Sequence, residues 1–268
     1  MSRWPGPEAM KSTAIARGIR GFTLIELAMV MLILTLLVTG MAVPFSAQLA
    51  MRRYEETRRQ LDEARDALMG FAAAHGRLPC PASATSNGAE SFLPGGDALN
   101  GSCSNFHDGF LPGASLGLSQ LDANGFVRDP WGTPANRIRY AVFGGVVTNG
   151  VANALTRANG MQSATLAGLG SAPNYLWICA SATGTTGSGC GAASNQLTKR
   201  AAFVLISSGP NAGAAPAAGP DEARNLGAGP VFVTHEISTV PGNEYDDIVT
   251  WVPINLLITR LVAAGRLP

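Results

Sequence analysis

Residues Phe22–Val43 read FTLIELAMVMLILTLLVTGMAV, an apolar run interrupted only by Thr23, Glu26, Thr35, Thr39 and Gly40. As a helix, such a run would reach about 33 Å, enough to cross the hydrocarbon of a bilayer. The stretch therefore predicts a transmembrane helix over 22–43. Arg17 and Arg20 stand immediately before it and place the N-terminus on the cytoplasmic side, with the rest of the chain beyond the membrane. Arg52, Arg53, Arg58 and Arg59 oppose that orientation by count. They are interleaved with Glu55, Glu56, Asp62 and Glu63, which leaves helix pairs such as Arg52–Glu56 and Glu55–Arg59 available.

Basic residues followed by an apolar stretch suit three kinds of N-terminus, which differ in where the chain is cut. A secretory signal is cut after its apolar region, and Gly40-Met41-Ala42 has the small-x-small form of such a site. A plain anchor is not cut at all. Neither gives a use to Glu26, a carboxylate inside the apolar run, where an ionised group without a partner costs on the order of several kcal/mol.

The residues Arg20-Gly21-Phe22-Thr23-Leu24-Ile25-Glu26 resemble the processing site of type IV prepilins and type II secretion pseudopilins. The resemblance implies that a prepilin peptidase cuts between Gly21 and Phe22 and that the new N-terminal phenylalanine is methylated. Residues 1–21 are then a cytoplasmic leader, and Glu26 is an assembly residue whose carboxylate pairs with the terminal amine of a neighbouring subunit. Such pairing relieves two poorly solvated charges at once. Met10 offers a second start that would shorten the leader. The implied partners are the peptidase, other pilin or pseudopilin subunits, an inner-membrane assembly platform and membrane lipid. The implied place is the bacterial inner membrane and then a pilus or pseudopilus.

The helical pattern continues over 44–75, where Leu49, Leu61, Ala64, Leu68, Phe71 and Ala72 form a broken apolar stripe. Pro44 is expected to bend this helix, and Gly76 to stop it. Residues 76–268 read as a globular domain. Its first part, Gly76–Gly125, is rich in Gly, Pro, Ser and Asn and predicts irregular structure. Short strands are predicted at Arg137–Phe143, Tyr175–Cys179, Ala202–Ile206, Val231–Thr234 and Ile248–Trp251. A closing amphipathic helix is predicted over 254–264, with Pro253 before it and Gly265 after. The expected fold is α+β and pilin-like: a long N-terminal helix whose second half packs on a small antiparallel sheet, with disulfide-stapled loops.

Cys80, Cys103, Cys179 and Cys190 all lie beyond the apolar run. Their even number and position suit disulfides in an oxidising compartment. Sequence neighbours make the readiest pairs, Cys80 with Cys103 and Cys179 with Cys190, among three connectivities. No Cys-x-x-Cys pair favours zinc. Without the leader the chain holds 15 basic and 17 acidic residues, so nothing points to nucleic acid.

Gly113-Ala-Ser115-Leu-Gly117 has the letters of a nucleophile elbow, but Pro112 precedes it where that motif needs a buried strand. His75, His107 and His235 show no triad or metal spacing. Two further segments, Arg77–Pro81 and Asp129–Pro134 leading to Arg139-Tyr140, also resemble pilin-like proteins. So does Asp246–Trp251, which resembles the aspartate-rich loop of major pseudopilins, where calcium binds. Asp246 and Asp247, with Asn243 and Glu244 nearby, are hard oxygen donors. A long insertion separates them from Ser207–Gly213, where that loop begins in pseudopilins, so a solvated acidic turn and a calcium site both remain open. The reading is a structural subunit without a required cofactor and not an enzyme, with the size of its loop-rich domain resembling minor members. A surface adhesin or a hydrolase on a pilin-type anchor are the readings from other classes.

Overall fold

The computed structural model describes residues 22–132, 136–172, 174–212 and 219–267, without the side chains of 40–47. The leader, Gly21 and Met10 therefore lie outside the described residues, as do Pro134 and Gly213 and the side chain of Pro44. The chain divides into a first unit ending at Ala50 and a second beginning at Met51.

Helix α1 runs Leu24–His75. In the first unit its described large apolar side chains are exposed, from Leu24 at 88% to Val38 at 69%. Among the described residues no helix is long and apolar enough to cross a membrane. The predicted span 22–43 passes beyond the described side chains at Gly40.

The second unit takes in α1 from Met51 because that stretch supplies part of its core. Leu61, Ala64, Leu68 and Ala72 recur at three- and four-residue spacing and are buried, as one helical face requires. Gly76 ends the helix in the left-handed region, at φ +67, and its N–H bonds the Ala72 carbonyl. Arg266 covers two more terminal carbonyls: its Nε donates to Ala73 O at 2.8 Å, and its guanidinium also reaches Ala74 O. Among the described residues the ion pairs along this stretch are Arg59–Glu63, Arg65–Asp62 and Arg65–Asp66, not the Arg52–Glu56 and Glu55–Arg59 pairs that the spacing made available.

The sheet is built on β4, Gln196–Ser207. One edge of β4 pairs with β8, Ile248–Pro253. The other edge pairs with β2, Arg139–Val142, and with β3, Leu176–Cys179. Ala201 has Leu176 as partner in one pair and Pro253 in the other, so β3 lies opposite β8, and β2 and β3 sit end to end along one edge. Outside them lie β1, Gly109–Phe110, antiparallel to β2, and β5, Val231–Val233, parallel to β3. The sheet is thus antiparallel except for β3–β5, a pair the sequence did not predict. A separate hairpin joins β6, Ser238–Val240, to β7, Asn243–Tyr245.

Residues 201–206 of β4 are all buried because both sheet faces are covered. Phe203 and Leu205 meet the α1 side, while Val204 and Ile206 join Ala141, Leu176, Ile178 and Phe232 on the other, the alternation of a strand. The last helix, α5 at Ile254–Ala263, buries Ile254, Leu257, Ile258 and Leu261. The remaining helices are α2, Gly113–Leu116, α3, Gly160–Ser171, and α4, Pro220–Asn225.

Both disulfides join sequence neighbours, Cys80–Cys103 and Cys179–Cys190. The first holds down the irregular region that follows α1, where Arg77 and Glu90 also form a bidentate ion pair at 2.7 and 2.8 Å. The α+β, pilin-like layout is as expected: an N-terminal helix, then a curled, mostly antiparallel sheet with two disulfides.

Candidate functional site

At the start of α1, Thr23 serves as the N-cap. Its Oγ1 accepts from the Glu26 N–H at 3.3 Å, and its carbonyl accepts from Leu27 N–H at 3.1 Å. Thr23-x-x-Glu26 has the spacing of a capping box, yet the Glu26 carboxylate makes no return bond and has no partner among the described residues. It stands exposed on a helix whose neighbouring apolar side chains are also exposed. Phe22 is 76% exposed. Among the described residues of the first unit nothing buries this surface.

A second site forms at the junction of β7 and β8. Glu222 of α4 joins Asp246 and Asp247, one carboxylate oxygen from each lying within 4.8 Å of the others. Glu222 is 2% and Asp247 6% exposed. Backbone geometry brings the three together: Asp246 N–H donates to Glu222 Oε1 at 2.8 Å, and the Asn211 side chain donates to both Glu222 oxygens at 3.0 Å. Asn211 N–H also bonds Asp246 Oδ2 at 3.2 Å. The segment after β4 and the segment before β8 therefore meet despite the insertion between them. Gly209 lies against Asp246 at φ +59, and a Cβ there would fall 2.4 Å from Asp246 Oδ1, so only glycine fits.

The cluster is short of positive charge. Burial first, then the nearby Glu222 carboxylate, pushes Asp246 up to about 7. Asp247 is likewise pushed to about 7 by burial, with Glu222 and Asp246 adding to the shift and Arg139 opposing it. Arg139 is itself paired with Asp108. Among the described residues Asp246 Oδ1 is sealed from solvent with no donor to it, and the only donor to the Asp247 carboxylate is Asn225 Nδ2, at 2.7 Å. Crowded carboxylates with an orphaned buried oxygen fit a hard divalent cation, which takes six to eight oxygen ligands. Asn243 and Glu244 do not belong to this set. The Asn243 side chain bonds Asp221 at 2.9 Å, and Glu244 is exposed. Glu222 was missed because its approach depends on a tertiary fold spanning the insertion. The run Gly219-Pro220-Asp221-Glu222 did carry a helix-start signal, proline and acidic residues in the first turn.

The residues considered for catalysis do not assemble. Ser115 Oγ accepts from Glu90 N–H. His75 stacks on Phe71, and His107 Nδ1 lies against the Ala228 carbonyl. His235 Nε2 and Ser181 Oγ both bond Asp221, at 3.1 and 3.2 Å, so that serine and that histidine share a carboxylate instead of facing one another as nucleophile and base. Asp129-Pro-Trp131 is a structural turn. Asp129 Oδ2 accepts from Ser207 Oγ at 2.6 Å, and Trp131 packs edge-on against Tyr54 at 4.9 Å.

Residues 16–42 match the family model of the prokaryotic N-terminal methylation motif. No curated protein and no solved structure matches the chain. The matched stretch brackets Gly21, Phe22 and Glu26, and the chain therefore carries the prepilin-type signature of pilins and pseudopilins.

Proposed function

We propose that the chain is a structural filament subunit of the minor pilin or pseudopilin kind. It is held in the inner membrane by residues 22–43, with its N-terminus cytoplasmic and its globular unit outside, and is cut between Gly21 and Phe22 by a prepilin peptidase. It is then delivered by an assembly platform into a type IV pilus or a type II secretion pseudopilus. The observation that carries this reading is the methylation motif at 16–42, joined to a helix whose apolar side chains are exposed among the described residues of the first unit. In a filament, helices of neighbouring subunits cover that surface, and Glu26 meets a terminal amine.

Glu26→Val tests the reading. The variant should still insert and be cleaved but should be lost from filaments, as read by immunoblotting of sheared pili or pseudopili against the membrane fraction. Incorporation equal to wild type would count against Glu26 as the pairing residue. The adhesin alternative has a groove of about 830 Å³ in the second unit, bounded by Tyr54, His235, Ile237 and Val249. Its charged groups, Arg58, Asp62, Glu236 and Asp247, are of both signs and specify no ligand.

The same subunit binds calcium through Asp246 and Asp247, a reading supported by their convergence and by the orphaned Asp246 Oδ1. Calcium should raise the thermal midpoint, and a chelator should return it, because a ligand that binds only the native state stabilises it. An unchanged midpoint would remove the cation from the reading.

A further inference from the structure

Strands β1, β5 and β8 end the main sheet, and two of these edges are met from within the chain. At β1, Ala82 N–H donates to Phe110 O at 2.8 Å and Phe110 N–H donates to Ala82 O at 2.9 Å. At β5, the Asn225 side chain accepts from Val233 N–H at 2.7 Å and donates to Val233 O at 2.9 Å. Strand β8 pairs with β4 alone, and the register says which of its groups turn the other way. Phe143 N–H donates to Ala202 O at 3.0 Å, so Ala202, Val204 and Ile206 turn their backbone groups to the β2 side. Phe203, Leu205 and Ser207 then turn theirs to Val252, Thr250 and Ile248. The N–H and C=O groups of Val249 and Trp251 therefore face outward, and they have no hydrogen-bond partner among the described residues. This edge opens beside the groove bounded by Tyr54 and Ile237.

Free edges normally carry a device against pairing, such as a charge, a proline or a bulge. Residues 248–252, Ile-Val-Thr-Trp-Val, have no charge and no proline, and their register with β4 is regular. We propose that β8 pairs antiparallel with β8 of a second copy of this chain, about a twofold axis at Thr250. In that register the edge is complementary to itself. Val249 of each copy meets Trp251 of the other, and their outward groups exchange four hydrogen bonds. Both side chains lie on the sheet face away from α1, where a β-branched residue beside an aromatic is a favourable cross-strand pair. On the α1 face, Thr250 meets its counterpart at the axis and Ile248 meets Val252. The acidic end of the strand does not oppose the contact: the two Asp247 residues stand six positions apart along the paired strands, about 20 Å, well past the screening distance of about 8–10 Å. An isologous contact of this kind closes at two copies. It is therefore distinct from the contacts that extend a filament and goes beyond the assembly proposed above.

Sedimentation equilibrium of the full chain in density-matched detergent tests the pairing. Wild type should show a reversible equilibrium between one and two copies per particle. Val249→Pro removes an outward N–H at an edge, where proline is tolerated, so the variant should keep its circular dichroism and urea midpoint and lose the dimer. Thr250→Cys places two thiols across the axis as a non-hydrogen-bonded pair, at a Cα separation of about 4.5 Å that suits a disulfide. Copper phenanthroline should convert most of that variant to a dimer on a non-reducing gel. Leu197→Cys, exposed on the same sheet, should stay a monomer, and the four native cysteines are buried in their own disulfides. A Val249→Pro chain that dimerises as wild type does assigns association to another surface, such as the apolar start of α1, and overturns the pairing. A monomeric wild type without the Thr250→Cys crosslink also overturns it and leaves the edge to an extended segment of a different protein. Should Val249→Pro unfold, the crosslink decides alone.

Discussion

Replacing Gly21 with alanine or a bulkier residue leaves the chain at its full precursor length in cells that contain the peptidase. The expectation follows from the motif at 16–42 and from what glycine offers a protease: no Cβ, and so an unobstructed approach to the bond that follows. The wild-type chain should lose its leader and run faster on a gel, while the variant should co-migrate with the precursor from peptidase-deficient cells. Equal mobility of variant and wild type in peptidase-positive cells would contradict cleavage at Gly21–Phe22. This change should leave the second unit folded, since its core begins well beyond the cut. Processing is thus separable from Glu26, whose replacement is expected to spare cleavage and affect incorporation.

The largest loss of stability is expected from Phe203→Ala. Phe203 is fully buried in the middle of β4, packs against α1 and α5 residues within the main core, and meets Tyr140 in an edge-on contact at 6.1 Å between ring centres. Truncation removes a large buried side chain and leaves a cavity flanked by paired strands that cannot readily collapse, a change that costs about 3–5 kcal/mol. Against a total stability of about 5–15 kcal/mol, that removes between about a fifth and the whole of the margin. Leu197→Ala, in the same strand but 52% exposed, should stay within about 0.5 kcal/mol of wild type. Urea denaturation of the full chain in detergent, comparing midpoints at constant slope, measures both. Similar midpoints for Phe203→Ala and wild type would show that the β4 core is not where stability resides.

Much of this was legible in the sequence where the signal is local. Ala202–Ile206 is apolar without alternation, and that is what a strand covered on both faces looks like. The closing helix and the Gly76 stop depend on spacing over a few residues and were found, and the cysteine pairing followed the order of the cysteines along the chain. Less was legible where the signal is tertiary. Helix α3 is rich in glycine and alanine and carries a non-helical Thr165 within it, so neither propensity nor a clean stripe marks it. The parallel β3–β5 pair joins segments more than fifty residues apart. Of the acidic site, Asp246 and Asp247 were named from a loop resemblance, whereas Glu222 enters only because the insertion folds back on β7. Asn211 and Asp246 meet across the insertion, whereas Asn243 bonds Asp221 and Glu244 is exposed.

The end-to-end arrangement of β2 and β3 also sets the order of events in folding. Neither strand can find its register from the other, because the strand they share is β4, which follows them in the chain. The two must stay uncommitted until residues 196–207 are available, and the intervening excursion with α3 must close at the same time. Pairings of that sequence separation place a domain among the slower folders, on the order of milliseconds to seconds. During that interval apolar strand edges are open, and dilution or a chaperone would keep such chains from pairing with one another.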